Sequence, residues 1–471
     1  MIKNTFLLRT FIVSVVMSVT AVLTANAQNV GDKFKVGGLY YEITNISSTT
    51  PELNLVKVVP QNATAPYWEG DIFIEKAVQY QGTWYCVNSI GEFAFKDCQL
   101  GTVSIDYTIK HIERSAFENS SLTSIIIFED IESIGDATFK NCTSLTSITS
   151  TIKNIKKVSM GDNVFENVDK ENCVVRVPEG TIGDYKTHKG WSEFNHFKKL
   201  LPKGLEFKDK KVQCKIISFA PYEVEIKEDY EHIPTGTFKI PETVTYQGDK
   251  MTVVAIANGG FVETGGEVTS LTIPNTIRSI GVGGLASMAK IKSIHIPASV
   301  LSIGADAFNH CINCSSITVD KDNPNYCASN NVLFNKDKTT ILRYAPKKQD
   351  SHYDVGKRAV AAGAFAYSDL SYIDMRQATS IGYGACFPCY NLKKVLIGSD
   401  VTFIGGYAFV GCPNLRDVNL SAPISAYEAR VDELFSYLPE GKKRTLATID
   451  PGYAKKYLSE YFTYITRLYI E

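Results

Sequence analysis

One pattern dominates this chain: Ile-Gly-x-x-Ala-Phe-x-x-Cys-x-x-Leu-x-x-Ile-x-Ile, which recurs with a period of roughly 22 to 24 residues in two separate blocks. Copies begin at Ile90, Ile112 and Ile134 in the first block and at Ile256, Ile280, Ile303, Val360, Ile381 and Ile404 in the second, and a degenerate copy begins at Met160. A fixed period of this length is typical of repeat proteins, because one unit cannot bury its own apolar face and must stack on its neighbours. The pattern predicts a solenoid with an extended surface rather than a closed pocket.

Each repeat contains a short run in which apolar and polar residues alternate, as in residues 122–127 and 291–297. We expect these runs to form strands that stack in parallel, with Leu, Ile and Val pointing inward and the intervening residues outward. The Ala-Phe pair before each strand is expected to pack against the opposite wall of the core, as a tight turn or a short helical segment. The predicted architecture is therefore rich in short parallel strands.

A longer segment is duplicated ahead of each block. Residues 70–95 align with residues 236–261 at a constant offset of 166, with identical pairs such as Tyr80 and Tyr246. Both copies alternate apolar and polar residues and turn at Tyr-Gln-Gly, which predicts a β-hairpin that caps the edge of each array. Residues 38–43 and 212–217 are predicted to add further strands to these caps.

The two blocks also end in similar ways, since residues 175–194 and 446–469 both resemble a closing segment, although the second lacks the Gly190-Trp191 pair. The predicted organisation is a signal peptide at 1–27; a first module at 28–203 with a cap at 28–88, repeats at 89–178 and a closing cap at 179–203; and a second module at 204–471 with a cap at 204–255, repeats at 256–425 and a closing cap at 426–471. An insertion at 320–359 interrupts the second array. We expect it to form an extra hairpin that turns at residues 335–340.

Two repeats illustrate a family resemblance: Ser133-Ile134-Gly135-Asp136-x-x-Phe139-x-x-Cys142-x-x-Leu145 and Ser302-Ile303-Gly304-x-x-Ala307-Phe308-x-x-Cys311. This pattern resembles the BspA-type leucine-rich repeats of secreted and surface proteins from Bacteroides-like bacteria and some other microbes. It covers roughly residues 90–200 and 256–425. The resemblance implies a β-rich leucine-rich-repeat solenoid of two tandem curved arrays of short parallel strands, with β-hairpin N-terminal caps. It also implies a role in adhesion or host binding.

The first residues are typical of a secretory signal peptide. Lys3 and Arg9 precede an apolar run at 11–23, and Ala25-Asn26-Ala27 provides a cleavage site before Gln28. An uncleaved membrane anchor is the alternative, but such a span needs about 20 apolar residues. We expect an exported protein that is secreted, at the cell surface or periplasmic, without a membrane span after cleavage.

Cysteine is the residue type that most invites a chemical interpretation, since the chain has 11 and two Cys-x-x-Cys pairs, Cys311/Cys314 and Cys386/Cys389. Such spacing is found in zinc sites and in redox motifs. The repeat register favours a structural role instead, because these cysteines fall at positions where other copies have Leu, Phe, Ser or Met. Disulfides stay an open alternative in an exported protein, and their pairing cannot be assigned from the sequence.

Catalytic, cofactor and metal motifs are weak throughout. None of the seven histidines forms His-Glu-x-x-His, and the Gly-rich turns lack a phosphate-binding context. Residues 320–325 have some character of a calcium loop, but Pro324 occupies a ligand position. A mixed-charge chain with a net charge of -1 gives no footprint for nucleic acid. We therefore expect no enzyme activity, no cofactor, no metal and no nucleic-acid partner.

A binding surface is the remaining functional hypothesis, at outward positions of the strand ladder. The last three repeats of the second array combine aromatic and charged residues, which can anchor a partner. The candidate binding residues are Tyr372, Asp374, Lys394, Asp417, Asn419 and His295.

The leading functional class is an exported, non-enzymatic binding or adhesion protein that recognises a protein or glycan at the cell surface, including host matrix. The alternative is an extracytoplasmic glycan-processing accessory protein or enzyme, in which Asp374 and Asp417 would be the candidate carboxylate pair. A scaffold without a selective ligand is a third reading. The sequence does not identify the ligand or the oligomeric state.

Overall fold

The computed structural model describes residues 28–60, 68–219, 221–263, 265–427, 431–436 and 443–467. The predicted signal peptide at 1–27 lies outside these residues. The chain divides into two compact units, with the division between Leu201 and Pro202. Among the described helices, none combines the length and apolar character needed to cross a membrane.

Two sheets enclose the core of the first unit. The eight-stranded sheet contains β1 (Lys33–Val36), β2 (Leu39–Asn45), β3 (Leu55–Val59), β5 (Ala77–Tyr80), β6 (Thr83–Ile90), β8 (His111–Ile112), β10 (Ser133–Ile134) and β12 (Ser159–Met160). The six-stranded sheet contains β4 (Glu69–Phe73), β7 (Gln99–Ser104), β9 (Ser124–Ile127), β11 (Ser147–Ser150), β13 (Val174–Val177) and β14 (His196–Lys199). Short helical segments occur at Pro51–Leu53, Ile155–Lys157 and Ile182–Thr187.

The second unit repeats this plan with more breaks between sheets. One sheet contains β15 (Glu206–Asp209), β16 (Val212–Phe219), β17 (Tyr222–Glu228), β19 (Thr243–Tyr246), β20 (Asp249–Ile256), β22 (Ser279–Ile280) and β24 (Ser302–Ile303). Two small sheets pair β18 (Gly236–Lys239) with β21 (Val268–Thr272), and β23 (Ser293–Ile296) with β25 (Ser316–Val319).

Two larger sheets complete this unit. One contains β26 (Tyr326–Ser329), β27 (Val332–Asn335), β28 (Thr340–Tyr344), β30 (Ala359–Val360) and β32 (Ser380–Ile381). The other contains β29 (His352–Asp354), β31 (Tyr372–Met375), β33 (Lys394–Ile397), β34 (Asp417–Leu420), β35 (Thr445–Thr448) and β36 (Tyr464–Arg467). Short helical segments occur at Gly265–Glu267, Ile424–Ala426, Val431–Leu434 and Pro451–Tyr457.

Each repeat supplies two strands, where the sequence predicted one. The predicted four-residue strand is present, as in β9 and β11, which pair in parallel and in register. A dipeptide ahead of it forms a second, two-residue strand, as in β8 (His111–Ile112) and β10 (Ser133–Ile134), which pair in parallel. Two residues are too few for an alternating pattern, so periodicity alone does not predict this second ladder.

The Ala-Phe element between the two strands is a tight turn. Ala137 and Asn141 adopt left-handed conformations with φ of 55° and 61°. The preceding glycine is required by close stacking, since a Cβ on Gly135 would lie 2.6 Å from the backbone nitrogen of Arg114. The Ile-Gly dipeptide of the repeat therefore reflects contact between neighbouring turns.

The phenylalanines of consecutive turns form a ladder in the core of the first unit. Phe95, Phe117, Phe139 and Phe165 are buried and stack in parallel, with neighbouring ring centres 5.3 to 5.4 Å apart. The ladder ends against Trp191, whose ring centre lies 5.0 Å from that of Phe165. The 22-residue spacing of Phe95, Phe117 and Phe139 in the sequence is the origin of this stack.

The two predicted hairpin caps are confirmed. Strands β5 and β6 pair antiparallel around Gln81 and Gly82, and β19 and β20 pair antiparallel around Gln247 and Gly248. All four turn residues have positive φ, as a two-residue hairpin turn matched to strand twist requires. Further strands predicted upstream are present as β2 and β16.

The predicted hairpin within residues 320–359 forms between β27 and β28, and the insertion extends the array as well as interrupting it. Strand β28 pairs in parallel with β30, and β29 pairs in parallel with β31. The loop considered as a calcium site is held by Asn323, whose buried amide donates to the carbonyl oxygens of Pro297 and Val300 at 2.8 and 3.0 Å. That amide therefore anchors the insertion to the preceding repeat.

Candidate binding surface

The outward side of the sheet that contains β29, β31, β33, β34, β35 and β36 is called here the strand face. The parallel register aligns its side chains in two rows across these strands. The first row is His352, Tyr372, Lys394, Asp417, Thr445 and Tyr464, and the second is Asp354, Asp374, Leu396, Asn419, Ala447 and Thr466. Alternate residues such as Ile373, Val395 and Val418 are buried in the core, which fixes both rows on the outer side.

An aromatic and cationic stack lies at one end of the first row. The rings of His352 and Tyr372 are parallel, with centres 4.3 Å apart. The ammonium of Lys394 lies 5.5 Å from the centre of the Tyr372 ring, a distance at which a cation is attracted to the ring face. Tyr372 is therefore held between its two neighbours, which restricts its rotamer before any partner arrives.

Asp374 lies in the second row, at the outward position that was predicted for it, but it is not exposed. Only 6% of it is accessible. Arg376 covers it, donating from Nη2 and Nε at 2.6 and 3.0 Å, and the Tyr372 hydroxyl donates to the same carboxylate at 3.3 Å. Burial opposes ionisation of Asp374, but the hydrogen bonds from Arg376 outweigh it and lower its pKa. Asp374 therefore positions Tyr372 and Arg376.

Five of the six predicted residues lie on neighbouring strands of one sheet: Tyr372, Asp374, Lys394, Asp417 and Asn419. Lys394 and Asp417 are exposed, and Asn419 is half-buried. His295 lies apart from this set, on β23 of the small sheet that β23 forms with β25, where its ring contacts Thr318 and Asp320 at 3.0 and 3.2 Å. His295 is therefore not part of the strand face, because the ladder is broken between β25 and β29.

Sequence reasoning missed both ends of the strand face. His352 lies on the three-residue strand β29, inside a segment interpreted as an insertion. Thr445 and Tyr464 lie on β35 and β36, in the closing segment, and 51% of Tyr464 is exposed. The likeness between the closing segments could have indicated these strands, since β13 and β14 occupy the same place in the first unit.

The eleven cysteines are all free thiols in the structure. Nine are buried, among them Cys311, Cys314, Cys386 and Cys389 of the two Cys-x-x-Cys pairs. Burial raises the pKa of the Cys311 thiol to about 12, which disfavours the thiolate needed for metal binding or nucleophilic attack. The contacts of these pairs are those of core residues.

One group of acidic and imidazole side chains in the described part of the chain has the spacing of a metal site, namely Asp229, Glu231 and His232. The ammonium of Lys208 lies 2.8 Å from a carboxylate oxygen of Asp229 and 2.8 Å from one of Glu231. His232 Nδ1 lies 2.7 Å from the other oxygen of Asp229. A cation of the chain itself thus neutralises this cluster.

Solved structures with similar folds include a leucine-rich cell surface protein from Faecalibacterium prausnitzii, at 18% identity over 95% of this chain and 97% of that one, with a TM-score of 0.40. Another is the pneumococcal vaccine antigen PcpA, at 14% identity over 94% and 100% of the two chains, with a TM-score of 0.36. A leucine-rich-repeat protein from Bacteroides ovatus matches at 17% identity over 93% and 100%, with a TM-score of 0.25. A search of curated proteins finds no match.

The BspA type leucine rich repeat region matches six times, within residues 81–185, 254–341 and 356–436. These ranges contain most of both repeat blocks, with their Phe turns, and they make up more than half of the chain. The chain therefore belongs to the BspA-type leucine-rich-repeat family.

Proposed function

We propose that this chain is an exported, non-enzymatic binding protein that recognises a protein at the cell surface through the strand face of its second unit. The observation that supports this most directly is the stack of His352, Tyr372 and Lys394, which continues along the first row to Asp417 and Tyr464. Aromatic residues that are held in place and surrounded by polar groups are the usual anchors of protein interfaces.

The charges of this surface favour a protein partner over a neutral polymer. Lys394, Asp417 and Arg376 are exposed and of both signs. Mixed charges at the margin of an aromatic anchor give specificity for a complementary charge pattern.

The rival hypothesis, a glycan-processing enzyme, is disfavoured by the state of its candidate carboxylates. Asp374 and Asp417 lie on β31 and β34, which are separated by β33, and in different rows of the strand face. A glycosidase needs one carboxylic acid that stays protonated near neutral pH. Arg376 instead lowers the pKa of Asp374, which keeps it ionised.

Export is part of the proposal and is based on the sequence of residues 1–27. Material from the native host should begin at Gln28 or within a few residues of it. Edman or mass-spectrometric sequencing of that material decides the point. An N-terminus at Met1 would contradict both cleavage and the extracytoplasmic assignment.

The binding proposal is tested with the mature chain, immobilised and screened by biolayer interferometry against fibronectin, laminin, fibrinogen and collagen. We expect one of these proteins to bind. Replacing both Tyr372 and Lys394 with Ala should weaken that binding by about 1 to 3 kcal/mol, because the two side chains form part of the proposed anchor. The matched control replaces Ser124 and Ser147 with Ala. These serines stand at similar strand positions of the first unit, so the control should bind like the wild type.

Two results would contradict the assignment of the site. The first is normal binding by the Tyr372/Lys394 variant. The second is loss of binding on changing Asp337→Ala with Lys338→Asn, in the exposed turn of the inserted hairpin, which would make that turn the recognition element. Circular dichroism of every variant separates loss of a contact from loss of folding.

A further inference from the structure

The repeat turns of the two units present different surfaces at equivalent positions. In the first unit, the second residue after each Phe is Asp97, Asn119, Asn141 or Asn167, all with φ between 58° and 62°. Each Asn donates from its side-chain amide to the residue before it in this series, over 2.6 to 2.7 Å. This ladder satisfies its own polar groups along the turns.

In the second unit, two left-handed turn positions carry tyrosines. Tyr367 stands at the same place after Phe365 and has φ of 65°, and Tyr407 stands at the other left-handed position, two residues before Phe409, and has φ of 57°. Left-handed backbone is costly for bulky side chains and is normally taken by Gly, Asn or Asp. Both tyrosines are half-buried, and a conformation of this cost suggests that the ring has a use there.

Tyr367, Tyr383, Phe387, Tyr390 and Tyr407 come from three consecutive repeats and form what is called here the tyrosine edge. Ring centres are 6.4 Å apart between Tyr367 and Tyr390 and 5.3 Å apart between Tyr383 and Tyr407. Tyr383, Phe387 and Tyr390 are 52%, 44% and 56% exposed. The edge thus consists of two ring pairs and Phe387, all in the repeat turns and separate from the strand face.

Two glycines keep Phe387 at the surface. A Cβ on Gly411 would lie 3.0 Å from Pro388 Cβ and 3.5 Å from Phe387 Cε2, and Gly411 also has a positive φ of 66°. A Cβ on Gly384, whose φ is 54°, would lie 3.6 Å from Phe387 Cβ. The backbone of the next repeat thus passes directly beneath the ring and supports it.

The tyrosine edge is uncharged and rich in hydroxyl groups. Beside it, the Lys347 ammonium lies 2.8 Å from the Asp369 carboxylate, which also accepts from Asn391 at 3.2 Å. A second carboxylate, that of Glu433, lies near the Tyr383 ring, since a Cβ on Gly406 would meet both. The one comparable ring of the first unit, Phe93, also has positive φ, but Lys96 and Arg114 lie 5.5 and 5.1 Å from its centre. Cations therefore approach the Phe93 ring, whereas Tyr367 contacts the rings of Tyr390 and His310, and Tyr383 contacts that of Tyr407.

We propose that the tyrosine edge is a carbohydrate-binding site for a linear neutral glycan. A pyranose ring has a face of C–H groups, which is attracted to the negative face of an aromatic ring, and hydroxyls at its rim, which can pair with the tyrosine hydroxyls. Successive sugars can meet successive repeats, because the turns recur along the array. A nucleic acid or another anionic polymer is a poorer match, because none of the five side chains of the edge is cationic and none can neutralise its charge.

The test titrates the mature protein with cellohexaose, mannohexaose and chitohexaose by isothermal titration calorimetry. At least one hexasaccharide should bind, and Tyr383→Ala with Tyr390→Ala should weaken it at least about tenfold, because two stacking platforms are lost. The matched control is Phe93→Ala, which removes a ring from a left-handed position of the first unit and should leave the affinity unchanged. Changes at Tyr372 and Lys394 should also leave it unchanged, which separates this site from the strand face.

Several results would overturn the proposal. They are the absence of binding to all three hexasaccharides, equal binding by the Tyr383/Tyr390 variant, or an equal loss with Phe93→Ala. If the Tyr383/Tyr390 variant instead loses its binding to one of the matrix proteins, the edge is a protein interface and the glycan assignment is wrong. Replacing Tyr390 by Phe keeps the ring and removes the hydroxyl, so a partial loss would show that both groups contribute.

Discussion

The thiol of Cys142 donates a hydrogen bond to the backbone carbonyl oxygen of Phe117, with sulfur and oxygen 3.0 Å apart. Phe117 belongs to the preceding repeat, so the bond ties two turns together. Cys389 makes the same contact to Phe365 at 3.0 Å, and Cys412 reaches the carbonyl of Cys386 at 3.3 Å. These thiols act as small buried groups with one donor each, in the place where the turn leaves a carbonyl oxygen facing the core.

Replacing Cys142 with Ala should therefore destabilise the first unit. The change removes a buried sulfur and leaves the Phe117 carbonyl without this donor, and each loss is worth about 1 kcal/mol. We expect a total of about 1 to 3 kcal/mol in urea unfolding followed by circular dichroism. Cys86→Ala is the control, since Cys86 is only half-buried, and a smaller cost there is expected. An unchanged midpoint for Cys142→Ala would show that the turn-to-turn bond adds nothing.

The buried thiols should resist alkylation and hold no metal. Burial raises the pKa of Cys142 to about 11 and that of Cys173 to about 12, so at pH 8 both stay protonated and unreactive. Iodoacetamide followed by peptide mass spectrometry should label them only after unfolding in urea, whereas the less buried Cys327 should react first in the folded chain. Elemental analysis should find no stoichiometric zinc. Zinc that disappears on mutating Cys386 and Cys389 would refute the structural role.

The stacked phenylalanines should make the largest single contributions to stability. Phe139 is fully buried between Phe117 and Phe165, so Phe139→Ala should cost about 3 to 5 kcal/mol, as for other buried aromatic residues. Phe73→Ala is the control, because 61% of Phe73 is exposed and its loss should cost under about 0.5 kcal/mol. The urea midpoint of Phe139→Ala should therefore lie well below that of the wild type, whereas the midpoint of Phe73→Ala should stay close to it. Similar midpoints would mean that the ladder relaxes around the missing ring.

Residues 28–203 and 204–471 should each fold when expressed alone. Each range contains a hairpin cap, an array and a closing strand pair, and contacts divide the chain close to this boundary. Circular dichroism and urea unfolding of the two pieces, compared with the full mature chain, test this directly. A piece that is unfolded alone while the full chain is folded would place the boundary elsewhere.

The repeat register made the larger part of this fold predictable. The spacing of the Phe residues anticipates the ring stack, and the Tyr-Gln-Gly turns at Gln81 and Gln247 anticipate both caps, because these signals depend on local conformation and period. The two-residue strands and the three-residue β29 could not be anticipated, since such strands exist only by pairing with neighbours. Their formation is a tertiary effect.

The candidate site was predictable in position but not in detail. Alternation along the strands correctly places Tyr372 and Lys394 on the outer side of one sheet. It does not reveal that Arg376 covers the Asp374 carboxylate, because Arg376 follows the last residue of β31 and alternation along a strand does not predict how a flexible side chain folds back. The tyrosine edge was missed for a different reason. Left-handed conformations at Tyr367 and Tyr407 are fixed by the turn and contradict residue preference.

The last prediction concerns acid stability and the cluster around Lys208. The hydrogen bond from Lys208, followed by that from His232, lowers the pKa of the buried Asp229 from its usual 3.8 to about 2. The folded state thus binds this proton more weakly than the unfolded state, so ionised Asp229 stabilises the fold fully above pH 3.8. That stabilisation is lost as the pH falls from 3.8 towards 2.

Asp229→Asn removes this titration, so the urea midpoint of the variant should fall less between about pH 4 and pH 2 than that of the wild type. The measurement is urea unfolding of the mature chain, followed by circular dichroism at closely spaced pH values. Asp337→Asn, which changes an exposed carboxylate in the hairpin turn, serves as the control and should follow the wild type. The comparison depends on the slope with pH and not on the absolute midpoint, so a general destabilisation by the Asn does not obscure it. Parallel loss of stability in the wild type and in Asp229→Asn would show that the Lys208 contact does not hold Asp229 ionised in solution.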